Sequence, residues 1–347
     1  MTNRLSVAKT RAHELIRARR HAQPSSAPNV DVDAVVLYVE DDATHRRLRT
    51  RAESGVAGAG YVDNQAERYR CNNEIIYCLR SLYWCMPWLR KIHLVVADYQ
   101  FPARCVDAAR LQAISGTGTG PSLHVVRHSD FMPTKSLPTF NSQAIEACLC
   151  DIPDLAERFV YLNDDFFVGA PLEKSYFFTA DAAAVPRYNL DRTFVPHRRK
   201  THGMTMHAMA WCNNSMILDR VWGPLAKRQY PSHVAVPMLK STWADLPTVA
   251  LSRTMLSPFR TSSNIYCIGL CVYYNLYKQL GKQRLRNDTL FHDLCTGDAV
   301  EELFRFIQER MPSLFCINDK GYGDVERKMF IRCQREMFPL RTPWEPR

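Results

Sequence analysis

The residues best suited to chemistry stand at 163–165. Asn163-Asp164-Asp165 directly follow the apolar run Phe159-Val160-Tyr161-Leu162. Two adjacent carboxylates at the end of a buried strand repel each other unless a cation sits between or beside them. A hard divalent ion, Mg2+ or Mn2+, held by one or two carboxylates plus substrate phosphates, meets that requirement. The bland alternative is a turn with a helix-capping Asp. A second acidic tip, Glu40-Asp41-Asp42, follows Val32-Asp33-Ala34-Val35-Val36-Leu37-Tyr38-Val39. In open α/β sheets ligands bind beyond the carboxyl ends of the strands, which is where both tips fall.

A sheet must hold these tips in place. The run 32–39 is short, continuous and β-branched, as in a parallel strand buried on both faces. Residues 92–97, 123–126 and 159–162 read the same way. Helices are expected over 12–20, 72–83 and 142–150; in the second, Ile75, Leu79 and Leu82 share one face and Arg80 falls on the other. Strand and helix alternate, the pattern of a wound α/β sheet. The second half is less periodic, with helices expected near 264–280, near 300–309 and, downstream of Asp319, near Val325. Residues 1–30 read as a basic flexible arm broken by Pro24-Ser25-Ser26-Ala27-Pro28. Residues 31–180 read as a ligand-binding core. A C-terminal part, 181–347, completes one integrated catalytic domain, with a boundary placed near 175–185.

The chain has 347 residues, 46% hydrophobic and 23% charged, which excludes disorder and fibrous repeats as the main state. A net charge of +10 favours a polyanionic partner. Nucleic acid is not expected, because no stacking-aromatic RNP motif or helix-turn-helix signature occurs. The 12 cysteines form no CxxC pair, so the zinc-ribbon pattern is absent. Cys71, Cys78 and Cys85, seven residues apart, read as small buried hydrophobes. The longest mostly apolar run, 265–277, falls short of the ~20 residues needed to span a bilayer. No secretory core follows Met1. The expectation is a cytoplasmic chain in a reducing compartment, membrane-peripheral through its basic arm. A Golgi lumen, and use of the sequons at 213–215 and 287–289, is expected only if a targeting segment is missing.

Longer motifs add to this. Residues 68–83 read Arg-Tyr-Arg-Cys-Asn-Asn-Glu-Ile-Ile-Tyr-Cys-Leu-Arg-Ser-Leu-Tyr, followed by Pro87-Trp88-Leu89-Arg90-Lys91-Ile92 and Gln100-Phe101-Pro102. His128-Ser129-Asp130-Phe131, then Leu137 to Glu146, precede Leu162-Asn163-Asp164-Asp165. Asn213-Asn214, Pro231 to Pro237 with His233, Ser257-Pro258-Phe259-Arg260, Cys316-Ile317-Asn318-Asp319 and Met337-Phe338-Pro339-Leu340 follow in order. Together these resemble the Stealth family of hexose-1-phosphate transferases over roughly residues 32–345. That family includes bacterial capsular polysaccharide phosphotransferases and the catalytic subunit of the lysosomal-enzyme N-acetylglucosamine-1-phosphotransferase. Two departures stand out: Glu40-Asp41 where the family has Asp-Gly, and Cys71 where it usually carries Asp.

The resemblance implies a Rossmann-like, GT-A-like α/β core with a mostly parallel sheet and an irregular, helix-rich second half. It implies transfer of a hexose-1-phosphate from a nucleotide sugar, UDP-GlcNAc-like, to a glycan or polysaccharide hydroxyl, with a nucleoside monophosphate released. Asp164, Asp165 and Asp319 would hold the metal or supply the base. His233 would take the acceptor proton, with His202 and His207 nearby as alternatives, and Arg260 would fork onto a phosphate. Asp33, Glu40, Arg68, Arg70, Asn72, Glu74 and Arg80 would line the donor side. Asn141 and Glu146 would hold the sugar, and Asn163 and Asn318 would fix the acids or bind sugar hydroxyls. Two rival readings are a conventional GT-A glycosyltransferase using the same acid pair, and a catalytically inactive nucleotide-sugar-binding protein.

Overall fold

Each of the four apolar runs becomes a strand of one sheet. The computed structural model describes residues 2–20, 30–55, 65–114, 120–194, 203–225, 227–283 and 288–347. The first half runs α1 (Thr2–Arg20), β1 (Val32–Leu37), α2 (Ala43–Gly55), α3 (Glu74–Cys85), β2 (Lys91–Val96), α4 (Ala108–Ala113), β3 (Ser122–Arg127), α5 (Ser142–Glu146), β4 (Arg158–Asn163) and β5 (Phe166–Val168). The second half runs β6 (Tyr188–Phe194), α6 (Met206–Trp222), β7 (Arg228–Pro231), β8 (Val236–Leu239), α7 (Thr248–Met255), α8 (Cys267–Tyr277), β9 (Thr289–Leu294), α9 (Val300–Arg310), β10 (Leu314–Asp319) and α10 (Asp324–Met337).

The main sheet has the order β3-β2-β1-β4-β8. Its first four strands are parallel, and β8 closes the edge antiparallel to β4. Every residue of β1 is buried, as a strand covered on both faces requires. Pro237 lies in β8 opposite Val160, on an edge strand, where a residue without an N–H is tolerated. The architecture is therefore α/β with a mostly parallel sheet. A second sheet, β5-β10-β9, pairs β10 antiparallel to β5 and parallel to β9. Because β8 joins the first sheet and β9 and β10 build the second, the two halves of the chain interlock.

The opening segment corrects one expectation. The basic arm is a 19-residue helix from Thr2, longer than the segment expected at 12–20. Helix α1 packs on α3 and α10. Leu15 enters the core, Arg11 donates to the Gly169 carbonyl, and Arg19 lies 4.0 Å over the Tyr83 ring. The Pro/Ser break at 24–28, His202 and Asn287 lie outside the described residues. Among the described residues no helix is long and apolar enough to cross a membrane.

Candidate active site

Asp164 and Asp165 are the entire link between β4 of the first sheet and β5 of the second: β4 ends at Asn163 and β5 begins at Phe166. Because β10 runs antiparallel to β5, its last residues pass alongside this joint. The Ile317 amide donates to the Asp165 carbonyl at 3.4 Å, and the Cys316 thiol donates to Asp165 Oδ2 at 3.4 Å. Asp165 Oδ1 is buried without a partner. From the other side, the Cys78 thiol of α3 reaches the Asn163 carbonyl at 3.8 Å.

Glu74, at the start of α3, joins the acids. Asn72 donates through its backbone and side-chain amides to Glu74, the latter at 3.1 Å, and Tyr322 donates to Glu74 Oε1 at 3.4 Å. The same Asn72 amide reaches Asp319 Oδ2 at 3.3 Å. Asp319 also pairs with Arg70 Nε at 3.2 Å and accepts from the Gly321 amide at 2.8 Å. Its neighbour Asn318 donates to Asp293 of β9 at 2.5 Å, a consequence of the parallel register that sets these two residues opposite each other. Removal from water, then the charges of Asp165 and Glu74, hold the Asp164 carboxyl well above the usual range. Burial pushes Asp165 up to about 7, with Glu74 and Asp293 adding to it and the Cys316 hydrogen bond opposing. Burial also raises Glu74.

A basic side faces these acids. His233 is flanked edge-on by Phe166 and Phe291, with ring centroids 4.9 and 5.5 Å away. Burial, then the charges of Arg260 and Lys320, push its imidazole down to about 4 against the pull of Asp293. His207 accepts from Trp211 Nε1 at 3.1 Å. Burial, then Arg260, His233, Arg68 and Lys320, hold it down to about 3. Arg260 and Lys320 act on both imidazoles, and His207 also feels Arg68 and His233.

Buried amides set the loop that carries Arg260. Asn141 caps α5 and donates to the carbonyls of Ser257 and Phe259, each at 3.1 Å, and to Asn264 at 3.0 Å. Asn213 donates to the carbonyls of Ser262 and Asn264, and Asn214 to that of Tyr266. So clamped, Arg260 donates to Ser142 Oγ at 2.7 Å.

Four expected donor or sugar contacts fall elsewhere. Asp33 lies at the opposite end of the sheet, four residues before the end of β1 or about 13 Å at strand rise. It is buried against Arg90 and His93, and these hydrogen bonds outweigh burial and hold its carboxyl at about 2. Arg80 is buried in an ion pair with Glu345, Nε to Oε2 being 2.9 Å, and donates to the Phe338 carbonyl at 2.7 Å. Asn141 is the clamp just described, and Glu146 is only 4% exposed beneath Tyr161. Glu40 stays at the rim, where Arg104 bridges it to Asn73. Asp41 pairs with Arg46 and Arg49, and Asp42 caps α2 through the His45 amide at 2.7 Å. Asp293 and Lys320 join the site beyond those expected, and His207, expected only as an alternative to His233, joins beside it. Only the β9–β10 register brings Asp293 in, and that is not a local signal.

Among the described residues no three His, Cys, Asp or Glu side chains converge as a ready-made metal cage. The chemistry of the set still suits a hard cation that shares its ligands with substrate phosphates: the atoms are oxygens, the carboxylates crowd one another, and one buried oxygen is orphaned. Cavities of about 400 and 430 Å3, one under α1 and one beside α7, are lined by none of these side chains.

Residues 68–185 match the family description "Stealth protein CR2, conserved region 2". Residues 68–185 are thus similar to Stealth conserved region 2. This region holds Arg68, Glu74, the Asn141 clamp and the Asp164-Asp165 joint. An exopolysaccharide phosphotransferase of Streptomyces coelicolor is 30% identical over 325 residues, covering 90% of this chain and 33% of that protein. The exopolysaccharide phosphotransferase CpsY of Mycobacterium leprae is 29% identical, covering 91% of this chain and 57% of CpsY. A capsular polysaccharide phosphotransferase of Haemophilus influenzae is 27% identical, covering 84% of this chain and 78% of that one. The chain thus spans between a third and somewhat over half of the first two relatives. The solved galactosyltransferase LgtC, with donor and acceptor sugar analogues, superposes with a TM-score of 0.45 at 10% identity over 89% of this chain and 96% of that chain, too loosely to decide chemistry.

Proposed function

We propose that this chain, like the Stealth proteins it resembles, moves a hexose-1-phosphate from a nucleotide sugar, UDP-GlcNAc-like, to a hydroxyl of a glycan or polysaccharide. One observation carries the reading: mutually crowded carboxyls at a strand end, Asp164, Asp165 and Glu74, stand beside Phe166, whose ring packs on His233, itself near Arg260 and Asp293. Relatives named for exopolysaccharide and capsular polysaccharide phosphotransfer support it. The acceptor oxygen bonds to the β-phosphorus, and the bond from that phosphorus to the bridging oxygen breaks. The nucleoside monophosphate leaves with the electron pair, and the sugar–phosphate bond stays intact.

Such transfers need positioning and charge neutralisation more than covalent help. Asp164, Asp165 and Asp319 would hold Mg2+ or Mn2+, which when bound neutralises pyrophosphate charge. Arg260, clamped by buried amides, offers a planar fork to a phosphoryl group, and Lys320 and Arg68 add charge. Arg70 and Asn72 orient Asp319. His233, neutral near pH 7, takes the acceptor proton; a weak base suffices when the transition state is loose.

The test is a donor labelled at both phosphates, supplied with a divalent cation and candidate polysaccharides. Retention of the β-phosphorus in a polymer phosphodiester is expected. A phosphate-free sugar transfer would make the chain a conventional glycosyltransferase, and donor binding without turnover under all metals and acceptors would make it a binding protein.

A further inference from the structure

Tyr161 lies between two acceptors. Its hydroxyl is 3.0 Å from Glu146 Oε1 and 2.9 Å from Asn163 Oδ1. A hydroxyl has one hydrogen to give, so a neighbour must supply a second. In one arrangement Glu146 is a neutral acid that donates to Tyr161, and Tyr161 donates to the Asn163 carbonyl. In the other, Glu146 is ionised and takes the tyrosine hydrogen, and the Asn163 amide is turned so that its NH2 donates to Tyr161.

Burial selects the first. Tyr161 is 2% and Glu146 4% exposed, and Glu146 Oε2 has no partner. A buried carboxylate with one donor is costly; a neutral acid there is not. The groups facing Glu146 are Arg260, Tyr161, Tyr266 and Cys267. Arg260 favours the ionised form, but burial outweighs it and carries the carboxyl up to about 7.

We infer that Glu146 and Tyr161 are positioning residues that hold the Asn163 amide carbonyl-inward, with its NH2 presented to the acidic site as a donor to an oxygen of the sugar phosphate. The identity of that ligand rests on the function proposed above. Asn163 is half-buried, its NH2 has no described protein partner, and it directly precedes Asp164. An anionic ligand gains a neutral donor in a region otherwise crowded with carboxyls.

The experiment compares wild type, Glu146→Gln and Tyr161→Phe for UDP-GlcNAc affinity with Mg2+ at about pH 6 and about pH 9, either side of the Glu146 transition. In E146Q the side-chain amide donates to Tyr161 at every pH. Wild-type affinity is expected to fall several-fold more across this range than that of E146Q, while Y161F raises KM more than it lowers kcat. Identical pH profiles for wild type and E146Q would overturn the inference. An infrared difference spectrum needs no ligand: a protonated-carboxyl band in wild type at about pH 6, missing from E146Q, is expected, and its absence overturns the relay. If wild type binds no nucleotide sugar, the proposed function fails and the infrared result alone decides the relay.

Discussion

The thiol of Cys316 and the carboxylate of Asp165 meet 3.4 Å apart across the joint between the two sheets. That contact fixes one carboxylate oxygen, Oδ2, and leaves the other buried and unpartnered. The last residues of β10 thus act as a brace behind Asp165, and the same strand delivers Asp319 three residues later. A carboxylate braced on one oxygen presents the other in a fixed direction, as a shared phosphate–cation site requires.

Asp164→Asn and Asp165→Asn each lower turnover by roughly 100-fold or more, because a neutral amide neutralises neither a cation nor a developing charge. Steady-state kinetics on both variants check this. Near-normal turnover in both would remove the pair from the mechanism.

The same substitution at 165 stabilises the fold, in a pH-dependent way. A carboxyl whose folded pKa lies above its unfolded value binds more protons when folded, so stability falls as pH rises between the two values. For Asp165 that window runs from 3.8 to about 7. The stability difference between Asp165→Asn and wild type is therefore expected to be smallest near pH 4 and to grow to a plateau of about 4 kcal/mol above pH 7. Buried His45, His128, His207 and His233, all pushed down, shift absolute stability the opposite way over part of this range. The difference in denaturation midpoint is thus the quantity to measure, and a difference independent of pH would contradict the burial argument.

Arg260→Lys keeps the charge and loses the planar fork and the contact with Ser142. Loss of one charge-assisted hydrogen bond costs about 1.5–3 kcal/mol, roughly 10–100-fold in kcat/KM. Normal kinetics would make Arg260 a scaffold residue.

Arg80→Ala leaves Glu345, which is 7% exposed, with only the Thr342 amide at 3.3 Å and Arg341 at 4.0 Å. The expected loss is about 3–5 kcal/mol in urea unfolding, with an unchanged donor KM in the folded protein. A raised KM with intact stability would return Arg80 to the donor side.

What was legible in the sequence follows from what is local. The strands at 32–37 and 158–163 announce themselves because both faces are buried, so their apolar runs are continuous. The acidic joint is readable because it directly follows such a run. Strand β8 was hidden by Pro237, which only its edge position permits. Helix α6 carries Asn213 and Asn214 among its buried residues, which blurs its apolar stripe. The protein partners of Arg80 and Asn141 are not legible in the sequence, because a buried ion pair or an amide clamp uses the same residue types as a ligand site. Their partners, Glu345 and the 257–264 loop, lie more than a hundred residues away. Asp33 illustrates the same limit, since its place at the start of its strand turns it away from the ligand edge towards Arg90.

The most direct test of the account is Mn2+ binding, followed by paramagnetic resonance or calorimetry, with and without a nucleotide diphosphate sugar. Wild type is expected to bind Mn2+ and the sugar nucleotide cooperatively, and Asp164→Asn and Asp165→Asn to lose that coupling while remaining folded. Equal, coupled binding in wild type and both variants would contradict the claim that these two carboxyls hold the cation on its phosphate.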